Sequence, residues 1–232
     1  MQTIGLLGGM SWESSAEYYR IVNELVRERL GGLHSAKCVM YSVDFAEIEV
    51  LQSSGRWDEA GDALAAGALS LQAAGADFLV LCTNTMHKVA DRVAAAVSIP
   101  LLHLGDATAA AVRAQGLRRV GLLGTAFTME QDFYRRRLAD HGLSVCVPDA
   151  DDRALVHRTI YDELCLGIVK DDSRRAFQRV ITALAEDGAE GIILGCTEIE
   201  LLVGRADSSL PVFPTARLHA EAAVDRALTA ER

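Results

Sequence analysis

The chain has 232 residues, half of them hydrophobic, a formal net charge of −9 and a mean hydropathy of +0.15. This length and composition allow one large or two small globular domains with real cores and exclude a disordered chain. The negative charge argues against nucleic acid or an anionic membrane surface as a partner. No apolar stretch reaches the length needed to cross a bilayer.

The chain opens on Thr3-Ile-Gly-Leu-Leu-Gly-Gly9 with no basic segment before it, which reads as a first strand and not as a signal peptide. A helix over 12–30 follows, with Tyr18, Ile21, Val22, Leu25 and Val26 on one face and Ser11 as its cap. A strand at 38–43, an Ala- and Leu-rich helix over 56–74, a strand at 77–81 and a helix over 86–97 come next. After an apolar run at 100–104 and a helix over 106–115, the second half gives strands at 119–123, 144–147 and 191–194. Helices are expected there over 130–139, 153–164 and 173–186, and a last strand at 211–214 precedes a helix over 216–229. Short apolar runs alternating with helical patterns predict an α/β fold with mostly parallel sheet flanked by helices.

Two elements recur. Ile4-Gly-Leu-Leu-Gly-Gly9 returns as Val120-Gly-Leu-Leu-Gly-Thr125, an offset of 116 residues. Phe78-Leu-Val-Leu-Cys82-Thr83-Asn84 returns as Ile192-Ile-Leu-Gly-Cys196-Thr197-Glu198, an offset of 114. The agreement points to an internal duplication and two domains, expected over 1–98 plus 208–232 and over 99–207. The last strand and helix are thereby given to the first domain.

Cys82 and Cys196 end strands, the place where open parallel sheets bind ligands. A helix N-terminus following each would be expected to lower the thiol pKa. A lone free cysteine reads first as a small core hydrophobe, and Cys38 and Cys146 are taken that way; the repeated Cys-Thr reverses the reading for Cys82 and Cys196. Two thiols flanking one carbon, each about 3–3.5 Å from it, stand about 6–7 Å apart, too far for a disulfide. Such a pair suits removal of a proton from one face of a carbon and its return to the other.

A thiolate alone removes the α-proton of an amino acid too slowly, so the substrate carboxylate needs N–H and hydroxyl donors as charge flows onto it. Thr83, Asn84, Thr85 and Thr197 supply them, and Glu198 suits an ammonium group; helix capping is the competing reading for each. The glycine turn at 5–9 matches neither nucleotide-binding pattern and reads as a close strand-to-helix turn that brings Met10 and Ser11 over the cleft. His87 reads as a hydrogen-bonding residue, since no second ligand pair accompanies it. No metal is expected. Five cysteines, odd in number and without a CxxC pair, fit a reduced, cytoplasmic protein.

Gly5-Leu-Leu-Gly-Gly-Met-Ser-Trp-Glu13, Cys82-Thr-Asn-Thr-Met-His87 and Gly195-Cys-Thr-Glu198 resemble the aspartate/glutamate racemase superfamily, along essentially the whole chain. The nearest resemblance is to the aspartate racemase and broad-specificity amino-acid racemase branch. It implies two pseudo-symmetric α/β domains with the active site at their interface, a cofactor-independent racemase, an amino-acid substrate and a homodimer. It makes Cys82 and Cys196 the acid/base thiols and Met10, Thr83, Asn84, Thr85, Thr197 and Glu198 substrate-binding residues, with Ser11 and Thr125 as further candidates.

Aspartate racemases of this type carry a cation near the position of Gln52 and a lysine after an Ile-Tyr motif, which in Ile160-Tyr-Asp-Glu-Leu-Cys165 aligns with Cys165. Neutral groups at both positions remove the partners of an acidic side chain and favour neutral or polar amino acids, although Arg56 and Lys170 lie close by in sequence. Three alternatives stand beside this reading. They are a strict aspartate racemase, a maleate isomerase-like or decarboxylase enzyme, and a non-enzymatic metabolite or redox sensor.

Overall fold

The computed structural model describes residues 1–229, which fall into two compact units. The first comprises Met1–Leu104 and the chain from His219 onward; the second is Gly105–Leu218.

In the first unit, β1 (Ile4–Gly8), β2 (Cys38–Ser42), β3 (Phe78–Leu81) and β4 (Leu101–Leu102) form a parallel sheet in the order β2-β1-β3-β4. β1 and β3 are buried along their whole length, as expected of strands covered on both faces. One covering layer joins Leu7, Leu79 and Leu81 of the sheet to Leu64, Ala68 and Leu71 of the Trp57–Ala73 helix.

The second unit repeats this plan. β5 (Arg119–Gly124), β6 (Ser144–Cys146), β7 (Gly191–Gly195) and β8 (Val212–Pro214) form a parallel sheet in the order β6-β5-β7-β8.

The last strand therefore belongs to the second sheet, against the expectation that 208–232 sits wholly in the first domain. β8 runs beside β7 with Ile192 opposite Val212, as β4 runs beside β3 with Leu79 opposite Leu101. Duplication gives each sheet its own fourth strand, and each crossing comes later than 99 and 208. The Leu104–Ala114 helix after β4 passes into the second unit from Gly105, where Arg137 grips Asp106 through two 2.6 Å bonds. The Thr215–Thr229 helix after β8 passes into the first unit from His219. There the Tyr18 hydroxyl bonds His219 Nδ1 at 3.0 Å, and Gln2 N–H donates to the Ala227 carbonyl at 2.9 Å.

Three local differences matter. The expected helix at 86–97 starts as a 3₁₀ turn, Thr85–Val89, before the Ala90–Ala95 helix. The one expected at 130–139 is two, Ala126–Glu130 and Asp132–Asp140, with extended backbone at Gln131 between them. A helix over Phe45–Ser53 was not foreseen, although Asp44 caps it by accepting from Ala46 N–H at 3.0 Å and Glu47 stands in its first turn. No helix among the described residues is long and apolar enough to cross a membrane.

Candidate active site

In the first unit, β1 runs into Gly8-Gly9 and then the Trp12–Leu30 helix. A Cβ on Gly8 would run into the Ser15 side chain, and one on Gly9, at φ +96°, into the Val43 backbone; only glycine fits there. The freed space is filled by hydrogen bonds. Ser15 Oγ accepts from Gly9 N–H at 2.7 Å and donates to the Ser11 carbonyl at 3.0 Å. Ser11 caps the helix by accepting from Ser14 N–H at 3.3 Å. The Ser14 hydroxyl then donates to the Cys82 carbonyl at 3.3 Å, tying the β1 turn to the end of β3.

Cys82 is fully buried, and its thiol donates to the Val80 carbonyl at 3.6 Å. Three buried polar residues follow, Thr83, Asn84 and Thr85. Large polar side chains seldom sit inside without a task, and Asn84 makes no side-chain capping bond to the turn after it. His87 holds this loop from behind. Its Nδ1 lies 2.7 Å from the Thr83 carbonyl and its Nε2 accepts from Leu104 N–H at 3.1 Å, so the imidazole is neutral with its proton on Nδ1. Met10 is buried in the same unit, and so is Gln52 from the unforeseen helix. Gln52 Nε2 donates to Met86 Sδ at 2.9 Å, while its buried Oε1 has no hydrogen-bond partner.

In the second unit, Thr125 replaces the second glycine of the turn and caps the Ala126–Glu130 helix, accepting from Thr128 N–H at 3.3 Å. Cys196 follows β7 and is half-buried, with Thr197 and Glu198 buried after it. The Cys196 thiol donates to Glu198 Oε2 at 2.9 Å. Cys165 lies in the Leu164–Leu166 turn, half-buried and close enough for its charge to act on Cys196.

Both thiols hold their protons more tightly than a free cysteine, against the expected lowering by a helix N-terminus. Burial raises Cys82, with a smaller push from Cys38. Burial also raises Cys196, followed by the negative charge of Glu198 and then Cys165. The elements after the two cysteines are a 3₁₀ turn of five residues and a helix of four. Such short pieces add up too little dipole to offset desolvation. Cys38 and Cys146, expected in the core, are only half-buried, because β2 and β6 are edge strands.

The two cations that stand close to the neutral positions are occupied elsewhere. Lys170 pairs with Glu163 at 3.1 Å, and Arg56 bonds Ser54 at 3.1 Å and Glu59 at 3.3 Å, both on the surface. Among the described residues, no group of three or more His, Cys, Asp and Glu is arranged to hold a metal ion. Sequence reasoning placed Ser14 in the first turn beside the Ser11 cap but missed Ser15, whose spacing from Gly8-Gly9 is its local signal, and His219, whose tie to Tyr18 spans the chain.

Comparison with known proteins gives one answer. The family model for Asp/Glu/Hydantoin racemase matches residues 7–223. A solved structure from Yersinia pestis, provisionally assigned as an Asp/Glu racemase, is 56% identical with a TM-score of 0.92, covering 98% of this chain and 100% of that one. An aspartate racemase homologue from Pyrococcus horikoshii OT3 is 34% identical with a TM-score of 0.86, covering 98% and 99%. The broad specificity amino-acid racemase RacX of Bacillus subtilis (strain 168) is 23% identical over 232 residues, 95% of this chain and 96% of that protein. Matched along nearly its whole length, in sequence and in its doubled four-stranded sheet, the chain belongs to the Asp/Glu/Hydantoin racemase family.

Proposed function

We propose that the protein racemises amino acids without pyridoxal, using Cys82 and Cys196 as a two-base pair and accepting neutral or polar side chains. The observation that carries this reading is the duplication itself: a Cys-Thr at the end of the third strand of each sheet, followed by buried polar residues. In the reaction, one sulfur as thiolate takes the α-proton while the other, as thiol, delivers its own proton to the opposite face. The reverse reaction exchanges their roles. Negative charge developing on the substrate carboxylate meets donors from Thr83, Asn84, Thr85 and Thr197. Because burial keeps both sulfurs protonated, thiolate formation is coupled to substrate binding, whose ammonium charge lowers a neighbouring thiol pKa. Glu198, already holding the Cys196 proton, takes it up at that step. Met10, Ser11 and Thr125 line the substrate path in this reading.

Neutral Gln52 and Cys165 support neutral or polar substrates over aspartate, and the pairing of Arg56 with Glu59 and of Lys170 with Glu163 supports the same choice. Five free cysteines support a reducing, cytoplasmic setting, and a homodimer is the proposed assembly.

The test is a screen of the twenty amino acids by chiral chromatography in deuterated water. Either enantiomer of a true substrate is expected to gain α-deuterium and interconvert. Cys82→Ser and Cys196→Ser should each lower racemisation by about 100-fold or more, the scale of a lost general acid or base. Racemisation untouched by both substitutions would refute the mechanism, and preferential turnover of aspartate would refute the specificity.

A further inference from the structure

Two buried histidines of the first unit tie backbone groups together, and the chemistry of those groups fixes where each ring carries a proton. His219 Nε2 lies 2.8 Å from the Leu102 carbonyl of β4, and its Nδ1 lies 3.0 Å from the Tyr18 hydroxyl. A carbonyl only accepts, so His219 carries a proton on Nε2. Two residues past Leu102, the Leu104 N–H donates to His87 Nε2 at 3.1 Å, and His87 Nδ1 lies 2.7 Å from the Thr83 carbonyl. A backbone N–H only donates, so the His87 proton sits on Nδ1. Tyr18, His219 and Leu104 are fully buried and His87 is nearly so. In such a setting hydrogen bonds are strong and a lost partner is costly.

Both ties meet the chain on either side of His103. His219 holds the Leu102 carbonyl from one side, and the Leu104 N–H, anchored close by, steadies the His87 ring. The other end of that ring grips Thr83, the residue after Cys82. The Thr83–Asn84 peptide is trans, so its carbonyl and its N–H point in opposite directions. With the carbonyl bound to His87, the Asn84 N–H is turned away from the histidine. Accepting a bond at the carbonyl also polarises the peptide and makes that N–H a stronger donor.

We propose that His87 is a positioning residue for the reaction: braced by Leu104, it aims the backbone N–H of Asn84 at the substrate carboxylate. The inference rests on the racemase reading and adds a backbone donor to the side chains of Thr83, Asn84 and Thr85. It also assigns that donor to the Cys82 side. In the second half the matching place, 114 residues on, is Leu201, which is 53% exposed. The Thr197 carbonyl there accepts from the Glu200 N–H at 3.3 Å, a bond within its own loop. The histidine brace thus belongs to one copy of the repeat, and the Thr197–Glu198 peptide is oriented by local backbone.

Nuclear magnetic resonance of the full chain reads the brace directly. Two-bond proton–nitrogen correlations are expected to place the His87 proton on Nδ1 and a His219 proton on Nε2. Adding a racemised amino acid should move the Asn84 amide proton downfield, as for an N–H that takes a carboxylate. Two variants then separate positioning from support of the fold. His87→Asn sets an amide N–H near the place of Nδ1 and keeps the Thr83 bond; His87→Gln sets an amide oxygen near the place of Nε2 and keeps the Leu104 bond. Each loses one buried hydrogen bond, so urea denaturation should show similar losses. Activity should diverge: kcat falls about tenfold or more in His87→Gln, where the donor is no longer aimed, and recovers toward the wild type in His87→Asn. Matched losses of kcat in the two variants, an unmoved Asn84 amide, or either histidine proton on the other nitrogen overturns the positioning role in an enzyme that still racemises. The wild-type spectra decide if the variants do not fold. A chain that racemises none of the twenty amino acids fails the proposed function, and the positioning role with it.

Discussion

The two halves of the molecule share strand order and the position of a Cys-Thr, yet they treat that cysteine differently. After β3, Cys82 is wholly buried and its thiol turns back to a carbonyl of its own strand, with neutral Asn84 two residues on. After β7, Cys196 keeps partial exposure and its thiol donates a hydrogen bond to Glu198, which occupies the Asn84 position of the repeat. The turns diverge as well. Gly9 is locked against Val43 at φ +96°, whereas its counterpart Thr125 is an ordinary helix cap. Duplication thus preserved the scaffold while the surroundings of each sulfur drifted apart. One thiol is held neutral by desolvation with a small push from Cys38, the other by desolvation plus a carboxylate.

The turns offer the harshest way to break the comparison. Gly9→Thr, which copies the second half into the first, is expected to cost at least about 3 kcal/mol through strain and collision with Val43. The reciprocal Thr125→Gly should cost only a few tenths of a kcal/mol, roughly the value of a cap replaced by glycine. Urea denaturation of both variants decides; equal losses would mean that the two turns are interchangeable.

The sulfurs come next. Glu198→Gln removes the charge that holds the Cys196 proton, so the pKa of that thiol falls. Alkylation of Cys196 by iodoacetamide near pH 8 should accelerate by about tenfold, one unit of pKa, while Cys82 reacts as before. Mass spectrometry of the two peptides reads this directly, and a Cys196 rate that does not rise would remove the carboxylate from the account.

The smallest effect is on stability in alkali. Both folded-state thiol pKa values lie above the unfolded value of about 8.5. Above that pH the folded chain binds more protons than the unfolded one. The stability the neutral thiols contribute is therefore full below about pH 8.5 and lost as pH rises beyond it. The melting temperature should decline between about pH 8.5 and 10.5, with a shallower decline in Cys82→Ala and in Cys196→Ala. An unchanged slope in both variants would show that other groups govern it.

Much of this was legible in the chain. Strands β1, β3, β5 and β7 stand out because apolar runs buried on both faces need no partner to be recognised. The Cys-Thr repeat is equally visible. The Phe45–Ser53 helix, which brings in Gln52, was not seen, because its apolar and polar residues lack a clear period although Asp44 marks its start. β8 was misassigned because two or three residues in a strand carry no information about which sheet they join.

Sequence alone determined the composition of the two loops, the duplication and the residue types available for proton transfer, since these depend on local order along the chain. Tertiary structure decided three other matters. They are the sheet that β8 enters, the exchange of the last helix between the two units, and the direction of both thiol pKa shifts. Each depends on burial and on groups brought from elsewhere in the fold, such as Cys38 beside Cys82 and Cys165 beside Cys196. Desolvation is a property of everything packed around a sulfur, and no window of neighbouring residues contains it.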